Sequence, residues 1–397
     1  MPRAAWVLPY EIENSGGFRT VFQHIGCLLE HGYQCDVYAP ADLKRTVERY
    51  FGVYGCRYFT GYRFRCRYDI VFATSWKTAE IVKKYPRAIK KAYFIQDFEA
   101  SFYPLGTEYL SACNSYCQGL YPITIGRWLA RKMIREYHAS AQYFDFCADV
   151  QVYKNLWKKR EKAVCFIYQP HKPRRCSEIG LRALEIVRSM RPDVKIYLYG
   201  SDRKPHIPFA CEKLGCLSVR QCNALYNRCM VGLCISATNP SRIPFEMMAA
   251  GLPVVDVYLE NNRYDMPQEG VLLAHYTPQS IAAALLTVLD DQKKAESMSQ
   301  YGQRYMADRT LQHGYEQFYQ AVTNILSDAE WTCREPDRVY ETAPVYGEKI
   351  ERQIPPEVLR RLNSSEINHT LAGTLKQVRL LRSSRILRCI YRQLRGY

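Results

Sequence analysis

Short β-branched and aromatic runs alternate with amphipathic segments along most of this chain, and the alternation restarts halfway. Ala4–Pro9 reads as a strand and Glu11–Gly17 as a loop. Thr20–His31 has helical periodicity and is ended by Gly32, and Cys35–Tyr38 is the next strand. Asp69–Ala73 and Ala92–Ile95 add short strands, and a helix is expected over Gly126–Tyr137. A second series opens with the strand Val164–Tyr168, the helix Glu178–Ser189 and the strand Lys195–Tyr199, which Gly200 closes. It continues through the helix Gln221–Asn227, the strand Val231–Ser236, a short helix Pro244–Ala250 and the strand Val254–Tyr258. Helices over Pro278–Leu289, Ser297–Asp308 and Thr310–Leu326 follow. Such alternation specifies an α/β class. Two series joined near Val152–Glu161 imply two doubly wound, Rossmann-like domains facing a cleft. In such sheets ligands sit at the carboxyl ends of the strands.

A length of 397 residues suits two domains and a tail, and 47% hydrophobic residues are enough to fill both cores. The expected boundaries are 1–155 and 156–308, then a helical segment over 309–330 and a basic extension over 331–397. Within the extension, 331–375 carries Pro336, Pro344, Pro355 and Pro356 and reads as a loosely structured connector.

The formal net charge is +16, and the stretch from Lys376 to Tyr397 holds seven Lys/Arg and no acid. A basic surplus points to an acidic partner: nucleic acid, a phosphorylated substrate or an anionic membrane. From Arg385 onward the chain reads RILRCIYRQLRGY. Ile386, Leu387, Ile390, Tyr391 and Leu394 fall within about 140° of a helical wheel, with Arg385, Arg388, Arg392 and Arg395 opposite. This basic amphipathic pattern suits an anionic membrane surface or the protein's own domains, and its apolar stripe argues against nucleic acid.

The 16 cysteines include no Cys-x-x-Cys, and Cys211, Cys216 and Cys222 are too irregular for a zinc ribbon. No cleavage-type segment follows Met1-Pro2-Arg3, and no apolar run approaches ~18 residues. Reduced thiols, a cytoplasmic setting and no spanning helix are the expectations.

Residues 237–255 read ATNPSRIPFEMMAAGLPVV. Pro244 suits the first turn of a helix, which places Glu246 near the helix N-terminus, where the dipole favours its charge and free N–H groups attract anions. From the residues alone, a plain N-terminal charge is the more ordinary account. A carboxylate at the cleft mouth would also accept hydrogen bonds from ribose hydroxyls.

The same stretch resembles the nucleotide-sugar motif of retaining GT-B glycosyltransferases, glycosyltransferase family 4. It is closest to the WsaF-like rhamnosyltransferases, which carry a Pro- and Ser-containing loop before a retained Glu-Met. Here that loop is Asn239-Pro240-Ser241-Arg242-Ile243-Pro244-Phe245-Glu246-Met247. The resemblance implies that Glu246 holds the donor ribose, with Ser241, Pro244, Phe245 and Met247 around it. The first acid of the family's E-x7-E pair would fall at Thr238 and is missing.

In YQPHKPRRCSEIG (168–180), Arg174 matches the second Arg of an Arg-Pro-x-x-x-Arg-Asn pattern, with Gln169 and Arg175 replacing its first Arg and its Asn. Arg174 is the candidate for the donor diphosphate and for catalysis, helped by Lys172 and Arg175. Gly16 and Gly17 would form the glycine loop that reaches toward the donor phosphate, with Gly200 at the opposite strand end and Arg19 nearby on the acceptor side. In YFIQDFEASFYP, Gln96-Asp97-x-Glu99 matches the subgroup, and Asp97 or Glu99 would orient an acceptor hydroxyl or take its proton. Ser75 and Trp76 would line the acceptor side.

The resemblance implies a GT-B fold in which Thr310–Leu326 crosses back to the first domain. It also implies transfer with retention, no metal and no other cofactor. The donor would be dTDP-L-rhamnose, with UDP- or GDP-hexoses as alternatives, and the acceptor a cell-surface or lipid-linked glycan. A non-catalytic, membrane-associated glycan or nucleotide binder is the remaining alternative.

Overall fold

The computed structural model describes residues 1–9, 16–157, 159–202, 207–328 and 334–362. The expected amphipathic helix at Arg385–Arg395 lies outside them.

The first sheet consists of β1 (Arg3–Val7), β2 (Gln34–Ala39), β3 (Arg57–Thr60), β4 (Tyr68–Ala73), β5 (Ala88–Ile95), β6 (Tyr121–Ile125) and β7 (Gln142–Phe144). Its spatial order is β3-β2-β1-β4-β5-β6-β7, with every pairing parallel. The helices α1 (Gly16–Glu30), α2 (Lys44–Phe51), α3 (Trp76–Lys84), α4 (Thr107–Ser115) and α5 (Arg127–Tyr137) connect its strands.

The second sheet runs β10-β9-β8-β11-β12-β13, also parallel throughout. Its strands are β8 (Glu161–Ile167), β9 (Lys195–Tyr199), β10 (Glu212–Lys213), β11 (Cys229–Leu233), β12 (Val254–Val257) and β13 (Val271–Ala274). Around it lie α6 (Ser177–Met190), α7 (Val219–Arg228), α8 (Ile243–Ala249), α9 (Glu260–Asp265), α10 (Pro278–Asp290) and α11 (Gln292–Ala307). Then come α12 (Leu311–Leu326) and α13 (Glu348–Glu351). In each sheet the strand order reverses once, between β1 and β4 and between β8 and β11. Loops diverge at such reversals and leave a crevice.

Parallel strands covered on both faces must be apolar along their length. Accordingly Ala4–Val7, Ile70–Ala73 and Val164–Phe166 are buried. Trp6 stacks on Phe72 at 4.2 Å and meets Phe94 and, from α12, Phe318. Thus α12 follows the second sheet in sequence yet packs into the first domain's core, against α1, β6 and β7. Gly180 sets the spacing of α6 over β8, since a Cβ there would come within 2.2 Å of the Phe166 ring.

Two sequence expectations change. Gly16 and Gly17 open α1 rather than ending a loop, so helix initiation moves four residues upstream of Thr20. The connector beyond residue 331 is not loose where it is described. Val345 pairs with Ala274 alongside β13, and Tyr340 is 1% exposed, its hydroxyl accepting from the Leu273 N–H. Ile354, Val358 and Leu362 are buried in the second domain's core, and Arg361 binds Glu185 of α6 at 2.7 Å. The prolines interrupt regular structure without preventing burial of the apolar residues between them. Among the described residues no helix is long and apolar enough to cross a membrane.

Candidate active site

Three loops meet between the sheets. They leave the carboxyl ends of β5, β8 and β11, because parallel strands all deliver their chains to the same edge. The β8 and β11 loops are joined by the Ala237 N–H, which donates to the Arg174 carbonyl at 3.2 Å.

On the β8 loop, residues Pro173–Arg175 form one 3-10 turn. Arg174 lies 3.5 Å from Asp97 Oδ2, and its guanidinium carbon sits 4.3 Å from the centre of the Phe102 ring. Arg174 is 27% exposed at the side chain, which leaves one flank open to the cleft. The Arg175 Nε is buried with no hydrogen-bond acceptor among the described residues, the kind of polar atom that an anion satisfies. Lys172 is half-buried on the same loop, and Gly200 has φ 97°, where a side chain would be strained and would crowd Ile167 at 3.1 Å.

On the β11 loop, Glu246 lies in the first turn of α8, half-buried. Burial pushes its carboxyl above the usual range, while Arg242, the Tyr153 hydroxyl donating to it, and Arg19 favour its charge. Arg242 reaches across to the first domain, where Nη1 donates to Gln23 Oε1 at 2.8 Å and Nε to the Cys147 carbonyl at 3.3 Å. Cations from both domains therefore face Glu246. The residues flanking it do other work. Phe245 is buried and stacks on Phe146 at 4.8 Å, and Met247 and Pro244 are buried as well. These three were expected around the donor, but they anchor α8 by packing. Ser241 lies 3.8 Å from the Cys234 sulfur.

The acceptor-side expectations are redistributed. Ser75 caps α3, accepting from the Lys77 N–H, and Glu99 Oε2 accepts from the Trp76 N–H at 2.6 Å and the Ser75 hydroxyl at 3.2 Å. Ser75 and Glu99 thus hold the α3 N-terminus together instead of facing a ligand. The Trp76 indole is half-buried and donates to the Tyr103 hydroxyl at 3.2 Å. Gly16, Gly17 and Arg19 are exposed at the start of α1, and no atom lies within 4 Å of where a Gly16 Cβ would stand.

Asp97 turns toward the opposite domain. Its Oδ1 accepts from the Phe98 N–H at 2.9 Å and the Asn239 N–H at 3.0 Å. Its Oδ2 accepts from the Thr238 hydroxyl at 3.1 Å and faces Arg174. Burial raises its carboxyl, and Arg174 and Thr238 oppose that rise. Asn239, 1% exposed, adds bonds from Nδ2 to the Gln96 carbonyl at 3.0 Å and the Ile125 carbonyl at 3.1 Å. Sequence reading passed over Asn239, Arg242 and Tyr153. An Asn-Pro pair in a loop signals a turn, and nothing in it signals a partner 143 residues away.

A second contact between the domains lies beside this one. Asp265 of α9 accepts from the Arg127 N–H at 2.8 Å and the Trp128 N–H at 3.2 Å, capping α5 from the other domain. Gly126 has φ 85°, and a Cβ there would come within 2.9 Å of the Asp265 carboxylate. Arg131 of α5 also pairs with Glu260 at 3.3 Å.

Burial pushes Glu99, Asp256 and Asp265 each up to about 7. Through the window from ~4 to about 7 the folded chain keeps protons that the unfolded chain has released, so stability falls as pH rises. Burial of His24 lowers it from 6.5 to about 3, which acts in the opposite sense between those values. Three acids against one histidine leave a net loss. The thermal midpoint is expected to be lower by several degrees at pH ~7.5 than at pH ~5.5, through a change on the order of 4 kcal/mol. Differential scanning calorimetry at the two pH values checks this; a higher midpoint at ~7.5 would contradict it.

Residues 162–286 match the model of the WsaF C-terminal domain family. The chain is 32% identical over 225 residues to the O-antigen biosynthesis protein RfbC of Myxococcus xanthus, covering 55% of this chain and 18% of that protein. It therefore spans less than a fifth of the length of the curated relative it matches. Sucrose-phosphate synthase from Thermosynechococcus elongatus superposes with a TM-score of 0.64 at 11% identity, over 83% of this chain and 100% of that one. Anabaena HepE in complex with UDP and glucose superposes with a TM-score of 0.62 at 14% identity, over 81% of this chain and 100% of that one. These likenesses and the two parallel sheets establish a GT-B fold of two Rossmann-like domains.

Proposed function

We propose that this chain is a glycosyltransferase that takes a sugar from a nucleotide donor and attaches it to a hydroxyl of a growing polysaccharide. The observation that carries the reading is that the two strands at the reversal of the second sheet, β8 and β11, lead into Arg174 and Arg175 on one side and into the helix bearing Glu246 on the other. A carboxylate that accepts from ribose hydroxyls and guanidinium groups that take a diphosphate are the two halves of a nucleotide-sugar site. The WsaF-type match covers both loops, and the relative's part in O-antigen biosynthesis supports a polysaccharide product.

The first donor we assign is dTDP-L-rhamnose, on the likeness to WsaF, with retention at the anomeric carbon. The HepE complex, solved with UDP and glucose, gives a UDP-hexose as the second candidate. In the reaction the bond from the anomeric carbon to the diphosphate oxygen breaks as the acceptor oxygen bonds to that carbon, and the acceptor's proton passes to the departing diphosphate oxygen. Arg174 and Lys172 meet the charge that builds on the leaving diphosphate, so this reading requires no metal. Preorganised charge of this kind is usually a large catalytic term. The acceptor, a lipid-linked or other cell-surface glycan, would enter from the α1 side near Gly16, Gly17 and Arg19. The basic segment at Arg385–Arg395 would bring the enzyme to an anionic membrane on the cytoplasmic face.

The test is nucleotide release by the purified chain with dTDP-L-rhamnose, UDP-glucose and GDP-mannose, each with and without lipid-linked glycan. Acceptor-dependent release of one nucleotide is expected, with dTDP favoured. Tight nucleotide binding without release from any donor, across a broad acceptor panel, would sink the reading.

A further inference from the structure

Asp97 is the residue a sequence reading selects to handle the acceptor's proton, but its surroundings do not suit a base. A base must present a free oxygen to the proton it takes. Both Asp97 oxygens are engaged, by the Phe98 and Asn239 N–H groups on one and by the Thr238 hydroxyl and Arg174 on the other. Three of these four partners belong to the opposite domain. Thr238 and Asn239 are both buried, and together they send four hydrogen bonds across the cleft: two to Asp97 and two to the carbonyls that end β5 and β6. The Ala237 N–H to Arg174 carbonyl bond ties the same loop to the anion-facing loop.

We propose that Asp97, Thr238 and Asn239 form a latch that holds the cleft closed and fixes Arg174, with Asp97 a positioning residue rather than a proton acceptor. Position 238 carries a hydroxyl, which can donate to Asp97. A second carboxylate there would repel it. Opening the cleft breaks all four bonds at once, so donor-binding competence and domain closure become one equilibrium. A substrate that needs the closed form then binds more weakly by the fraction of molecules that are closed.

The experiment uses the full chain and the variants Asp97→Ala, Asp97→Asn, Thr238→Val, Asn239→Ala and Asp97→Ala/Thr238→Val. Melting is checked first, and Thr238→Val, which removes one hydroxyl at nearly constant volume, keeps the test open if a harsher variant fails to fold. Amide hydrogen exchange is read at residues 236–242 and at the ends of β5 and β6, with and without dTDP. The latch predicts that exchange rises together in these segments, which lie on different domains, by roughly tenfold or more, and that the double variant adds little to Asp97→Ala. Unchanged exchange at 236–242 in Asp97→Ala would overturn it.

Turnover forms a second arm, which rests on the glycosyltransferase reading, whereas exchange does not. The latch predicts a raised donor KM in Asp97→Ala, Thr238→Val and Asn239→Ala alike, an unshifted pH profile, and partial recovery in Asp97→Asn, whose amide still reaches both Thr238 and Asn239. A base predicts lost kcat at constant KM for Asp97→Ala and Asp97→Asn, with a limb missing from the pH profile and Thr238→Val near the parent. That pattern would also overturn the latch.

Discussion

Turnover by the Arg174→Ala variant is expected to fall by roughly 10²–10³ in kcat, the usual loss when one preorganised partner of developing charge is removed. The guanidinium stands at the carboxyl end of β8, where the strand reversal opens the crevice, and is held on two sides by Asp97 and the Phe102 ring. Such a clamp leaves little reorganisation to be done when the diphosphate departs. Arg174→Lys keeps the charge and loses the planar fork, so its kcat is expected between the two. Removing Arg174 also leaves Asp97 buried with one fewer compensating charge, so its carboxyl would rise further. Steady-state nucleotide release with saturating donor measures the effect. A kcat within threefold of the parent would remove Arg174 from the chemistry.

Glu246→Gln should act on the donor's affinity. Hydrogen bonds to a charged acceptor contribute about 1.5–3 kcal/mol each, so losing the charge is expected to raise the donor KM and the Kd for the free nucleoside diphosphate by about ten- to a hundredfold. The change in kcat should be smaller. Arg242 and Arg19 would lose their common anion, which by itself would favour phosphate; a weakened Kd despite that gain would isolate the ribose contact. Isothermal titration with dTDP and UDP reads this directly. Unchanged affinity would mean that Glu246 serves only to organise Arg242 and Tyr153.

Much of the second domain was legible in the sequence. Val164–Tyr168, Lys195–Tyr199 and Val254–Tyr258 are apolar runs bounded by turn residues and broken only by Lys195 and Asp256, and buried parallel strands look much like that. The first domain was harder. Arg57–Thr60 is only half-buried at an edge, and Gln142–Phe144 is three residues long, so neither leaves an apolar signature. The helix Thr107–Ser115 is largely polar and buries only Ala112 and Ser115, with little contrast between its faces. At the site, Arg174 and Glu246 stood out because they match the motifs of the GT-B resemblance; from the residues alone Glu246 read as a plain N-terminal charge. The roles of Ser75, Glu99 and Asp97 did not, because each depends on a partner more than 20 residues away. A carboxylate's residue type says that it will be satisfied; only the fold says whether a ligand or a helix end satisfies it.

The chain passes between the domains more than once: out along α12 into the first domain's core, then back to lay Val345, Ile354, Val358 and Leu362 on the second. The second domain is therefore discontinuous in sequence, with the first domain's last helix threaded between its pieces. During synthesis the first sheet can pair while the second half is still being made. The second domain's core is complete only once the returning segment has emerged. Completion of the second domain thus needs segments made after α12, so a ribosome that stops near residue 326 would leave that domain without Val345, Ile354, Val358 and Leu362.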